Sequence, residues 1–166
     1  MKILAALTLL LAICVTHLSA QQHHSVEKNG MKVSYQVHDD HIEFTLNAPT
    51  RGWVAIGLHA KDQLSGSTFL IGRIVEGEVE VVDFYTMRPG LVPKIEELGG
   101  KTAVNHFLGK EKGKRTEISF NLARFPNSEF HQQLESGKTF FMHMAYSQED
   151  DFAHHSVMRD KVLVKF

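Results

Sequence analysis

The chain has 166 residues, with 18 basic against 19 acidic side chains and a formal net charge of −1. That balance lacks the basic footprint of a nucleic-acid binder and gives no electrostatic reason to coat a membrane. Cys14 is the only cysteine, which excludes a disulfide framework and a multi-thiolate metal site, so an apolar core must hold the fold.

The N-terminus reads as a secretory signal peptide over residues 1–20. Lys2 supplies the positive flank, residues 3–15 form an uncharged apolar run, and Ser19-Ala20 offers small residues for cleavage. The run is shorter than the roughly twenty residues a membrane-spanning helix needs. Ile13 before Cys14 argues against lipidation. Export to the periplasm or outside the cell is the expectation, with no membrane span in the mature chain. Residues 21–29 read as a polar N-terminal tail and residues 30–166 as one domain. Cleavage after Ala20 exposes Gln21-Gln22-His23, a nitrogen set suited to Cu(II) or Ni(II), although cyclisation of Gln21 blocks it.

From there the period is two almost throughout. Val33, Tyr35 and Val37 alternate with polar residues, Asp39-Asp40 breaks the run, and Ile42, Phe44 and Leu46 resume it, which predicts a hairpin. Residues 53–58 (WVAIGL) are apolar on both faces, as a strand covered from both sides requires. Trp53 reads as a core anchor. Residues 59–67 read as a loop, 68–74 and 78–85 as strands joined at Gly77, and 86–100 as an irregular loop rich in Pro and Gly. Residues 104–108 and 116–122 flank the basic turn GKEKGKR, a second hairpin with a solvated tip. Residues 128–133 suggest a helical turn, and 138–146 and 161–166 two final strands.

About nine to eleven short strands with no sustained helical period specify an all-β, antiparallel sandwich of immunoglobulin-like type. In residues 138–146, Met142 and Met144 face one side and His143 the other. Paired thioethers suit copper, but methionines on a core face are the stronger reading. No G-x-S-x-G elbow, H-E-x-x-H helix or P-loop is present, so a self-sufficient enzyme is not expected.

The ordered segments GWVAIGL (52–58), GSTFLIG (66–72), VEVVDFY with its proline loop (79–93), RTEISFNLARF (115–125) and SGKTFFMHMAYSQEDDFAHH (136–155) together resemble the DOMON domains. The resemblance implies a sandwich that holds a ligand between one sheet and its covering loops. Some relatives bind haem b and pass electrons to a redox partner; others are thought to bind sugars. In haem-binding relatives the iron is held by a methionine after the GW strand and a histidine near the last strand. On this sequence those positions fall at Leu64 and at His155, or His154 one residue earlier. Leucine cannot donate to iron, so His59 or Met87 are the candidate replacements. A His59–His155 pair would be bis-imidazole, whereas a methionine would raise the potential. The resemblance thus implies a ligand-binding module, with haem b and electron transfer as its most concrete form. The alternatives are a haem-free module for a sugar, another small ligand or a protein partner, and, less favoured, a copper-dependent oxidoreductase.

Overall fold

The computed structural model describes residues 23–166, and these form ten antiparallel strands in two five-stranded sheets. The signal-peptide expectation, Cys14 and the Gln21-Gln22 end of the copper motif lie outside the described residues. One sheet has the order β1 (His23–Lys28), β2 (Met31–Val37), β3 (His41–Ala48), β8 (Arg115–Ala123), β7 (Val104–Lys112). The other has the order β10 (Met158–Lys165), β9 (Thr139–Tyr146), β4 (Val54–His59), β5 (Thr68–Val75), β6 (Glu78–Tyr85). Among the described residues the only helix is a 3-10 turn at Ile95–Leu98, and no helix is long and apolar enough to cross a membrane.

Alternation builds the core. Tyr35 pairs with Phe44, Phe44 with Phe120 and Ile42 with Leu122, so their side chains share the inner face of the first sheet. Ile56, Leu70, Met142 and Met144 answer from the second sheet, each essentially without solvent exposure. Each such fully buried side chain contributes about 1.5–3 kcal/mol. The methionines of β9 are therefore core residues.

Three segments differ from the sequence expectation. The polar segment at 23–28 is a strand, β1, paired in full register with β2, and His24 stacks on Tyr35 at a centroid distance of 5.0 Å. At a sheet edge a strand needs backbone partners more than an apolar face, so one valine, Val26, is enough. The hairpin β7–β8 runs through the basic stretch to a tight turn at Gly113, because β7 is also an edge and exposes every residue after Val104. A register shift between Asn105 and Leu108, with His106 at φ 50°, twists that edge. Residues 128–133 form no helix. Long-range bonds hold them in an irregular path with a turn at 129–130: Thr68 Oγ1 donates to the Phe130 carbonyl, and His131 is tied to β6.

Sheet order decides where a site can form. β4 is central, and all six of its residues are buried. Val54, Ile56 and Leu58 face the sandwich core, while Ala55 and Gly57 face the opposite way. Three connections fold over that outer face: residues 60–67, 86–93 and 147–157.

Candidate functional site

A recess of about 560 Å³ lies between the outer face of the second sheet and those three connections. Its floor is made of small residues. Ala55 pairs with Ala145 on one side, and Gly57 pairs with His143 on the same side and Phe69 on the other. A Cβ on Gly57 would lie 2.5 Å from the Phe69 ring, so only glycine lets that ring lie down over β4. Trp53, Ala55 and Ala145 form an apolar cluster separate from the sandwich core, with Ile71 and Phe152 against it. Trp53 is thus buried at the recess rather than between the sheets.

The cover is held by backbone contacts. The Gly66 amide donates to the Thr86 carbonyl at 2.7 Å and the Thr86 amide to Ser67 at 3.0 Å, which joins the first two connections. The strap 147–157 is fixed at both ends. The Trp53 amide donates to Glu149 at 3.1 Å, and Ser147 Oγ donates to the His155 carbonyl at 3.1 Å. Gly52 makes this approach possible, because a Cβ there would meet the Glu149 nitrogen at 2.4 Å. Arg73 completes the wall by lying 4.1 Å over the Phe152 ring and donating to the Asp150 carbonyl.

Among the residues lining the recess, three carry a buried polar atom with no hydrogen-bond partner in the protein: Trp53 Nε1, Thr86 Oγ1 and His143 Nε2. Each such atom costs about 1–3 kcal/mol when left unmet. Burial holds the His143 imidazole below the usual histidine range, and a bond to the Gln63 backbone opposes this only in part. The ring is therefore neutral at pH 7. The Gln63 backbone lies against the ring, and Nε2 is the buried nitrogen without a partner.

The DOMON domain profile matches residues 27–147, which span β1 to the end of β9 and supply the whole floor of the recess. The chain belongs to the DOMON family. Two solved structures share its fold. The cytochrome b domain of pyranose dehydrogenase from Coprinopsis cinerea superposes with a TM-score of 0.61 at 7% identity, covering 85% of this chain and 80% of that one. The cytochrome domain of cellobiose dehydrogenase from Myriococcum thermophilum gives 0.58 at 6% identity, with 86% and 81% covered. No curated protein matches the chain.

Within this DOMON domain, His155, His154 and Leu64 all line the recess. Both histidines are exposed on the strap, and because the chain turns at 152–153 instead of running extended, both reach the same space. His59 is buried to 7% exposure beneath the first connection and does not line the recess. Its ring props the loop: the Lys61 amide donates to Nδ1 at 2.8 Å, and Nε2 lies 3.3 Å from the Gln63 side-chain amide. Met87 is 51% exposed and also lies outside the lining. The imidazole that sequence reasoning passed over is His143. The signal was present in FFMHMAY, since two core methionines put the residue between them on the outer face.

A second polar cluster lies away from the recess. Asp83 accepts from His131 Nε2 at 2.8 Å, Thr102 Oγ1 at 2.9 Å and the Ala103 amide at 2.8 Å, while His131 Nδ1 lies 2.9 Å from Ser128 Oγ. Side-chain exposure is 2% for both Asp83 and His131. This serine–histidine–aspartate chain pins the segments 99–103 and 128–131 to β6.

Proposed function

We propose that this DOMON domain is exported and holds haem b in the recess on the outer face of its second sheet, passing electrons to a protein partner. The observation that carries this reading is the convergence of three unmet buried polar atoms on one recess. Buried groups left without partners mark a site whose partner comes from outside the chain.

The residues present fit a flat, largely apolar group with one metal. The volume of about 560 Å³ lies within the range of roughly 300–1,000 Å³ typical of small-ligand sites. The floor of Ala55 and Ala145 leaves room for a planar ring. Phe69, Phe84 and Trp53 supply apolar walls that exclude water. His155, or His154 beside it, is an exposed imidazole on the strap over the floor, free to donate to iron. Arg159 lines the same recess and offers a cation for a carboxylate substituent. A bound haem would supply one-electron transfer. The chain's own part is to orient the ring, hold a neutral imidazole on the metal and keep the pocket dry, which together tune the potential.

Leu64 favours a second reading. It brings no donor to the recess, as suits a haem-free module for a sugar or another small ligand. One experiment separates the two. Protein produced in a haem-supplied host, or titrated with hemin, is expected to show a Soret band that shifts on reduction. A colourless protein that takes up no added hemin overturns the haem reading. For export, N-terminal sequencing of protein recovered outside the cytoplasm is expected to begin at Gln21, or at its cyclised form. Accumulation of the uncleaved chain inside the cell overturns it.

A further inference from the structure

We infer that His143 supplies, through Nε2, the second donor to the guest's metal, in the role that Leu64 cannot fill. This rests on the haem reading above and deepens it by assigning the missing ligand. Three observations converge on this residue.

First, His143 is the one imidazole on the floor. It projects from β9 beside Gly57, a position with no side chain of its own, and lines the recess that the strap histidines close from above. Second, its Nε2 is buried without a partner, while the Gln63 backbone lies against the ring. A histidine that binds a metal is commonly oriented by a second-shell group, such as a backbone carbonyl, beside its ring. Third, Gln63 is the residue before Leu64. His143 therefore sits directly under the stretch of loop where the resemblance places the methionine. The alternatives are weaker on geometry. Both nitrogens of His59 are occupied by its own loop, and Met87 points to solvent outside the lining. Because Nε2 is shielded from water, the lining side chains, exposed Leu64 among them, must rearrange as the guest seats.

The test is the coordination state of hemin-loaded protein, followed by absorption, electron paramagnetic resonance and carbon monoxide binding. The wild-type protein is expected to be low-spin with two imidazole ligands and slow to bind carbon monoxide when reduced. His143→Ala is expected to be high-spin, to bind carbon monoxide at once, and to return to the low-spin spectrum when free imidazole is added. His143→Met, which retains most of the side-chain volume, is expected to show a methionine-to-iron charge-transfer band and a higher reduction potential. Circular dichroism confirms that each variant is folded, and the methionine variant carries the test if the alanine variant is not. Met87→Ala, at an exposed residue outside the lining, is expected to leave the wild-type spectrum unchanged. Hemin uptake with an identical low-spin spectrum in both His143 variants overturns the inference and leaves the haem reading standing. A wild-type protein that binds no hemin removes both.

Discussion

At the scale of single residues, Asp150 shows what the strap costs. Its Oδ1 is buried without a partner, and burial, with Glu111 and Glu149 adding to it, pushes its carboxyl above the usual aspartate range while Arg73 partly opposes the shift. The unfolded chain ionises near pH 3.8 and the folded chain only at a higher pH. Below both values the two states hold the proton equally. As pH rises through the interval the unfolded state releases it first, so stability is lost and remains lower at neutral pH. Asp150→Asn removes that penalty at nearly constant shape. Thermal melts are expected to show the variant more stable than wild type at pH 7, the gap closing as pH falls below 3.8. An equal gap at both pH values would show that the effect is not electrostatic. His143 has the opposite sign. With its pKa lowered, wild-type protein loses stability as pH drops below the usual histidine value, since the unfolded chain protonates first. His143→Phe is expected to flatten that part of a stability-against-pH curve.

At the scale of elements, the strap and the GW motif are one device. Gly52 admits the strap backbone, and the Trp53 main chain binds it in both directions, accepting from Ser147 at 2.9 Å and donating to Glu149. Gly52→Ala places a methyl against backbone that no side-chain rotation can clear. The expected cost is about 1–3 kcal/mol in a urea melt, with hemin affinity reduced roughly ten- to a hundredfold because the strap histidines are displaced. Asp83→Ala is the contrast. It strips three donors of their acceptor away from the recess, so a loss of about 3 kcal/mol or more is expected with the hemin spectrum unchanged. A changed spectrum would mean that the cluster around His131 communicates with the recess. The interior strands were legible because Phe44 and Phe120 fall on a two-residue period, while Ile56 and Leu70 lie in short unbroken apolar runs. β1 and the outer half of β7 were not, since HHSVEK and GKEK satisfy backbone pairing at an edge without an apolar face. The site was legible in part. His154, His155 and Leu64 follow from order along the chain, whereas His143 needs the pairing of β9 with β4 to show that its neighbour is Gly57.

At the scale of the molecule, two apolar clusters divide the work. The inner one, between the sheets, holds the sandwich closed without any cysteine among residues 23–166. The outer one, around Trp53, Ala55 and Ala145, is covered only by connecting segments, and the unmet polar atoms belong to that side. On the haem reading, a fold arranged in this way is complete without its guest and is expected to gain stability when the guest binds. If hemin binds only the folded chain, a free concentration a hundred times the dissociation constant adds about 2.7 kcal/mol. For a domain of this size that raises the melting midpoint by roughly 10 °C. A reductant that breaks disulfides is expected to leave the midpoint of the hemin-free protein where it is. Differential scanning calorimetry with and without hemin measures both. A protein with a full Soret band but an unmoved midpoint would have its hemin on the outside of the fold, and the recess under the strap would then not be the site.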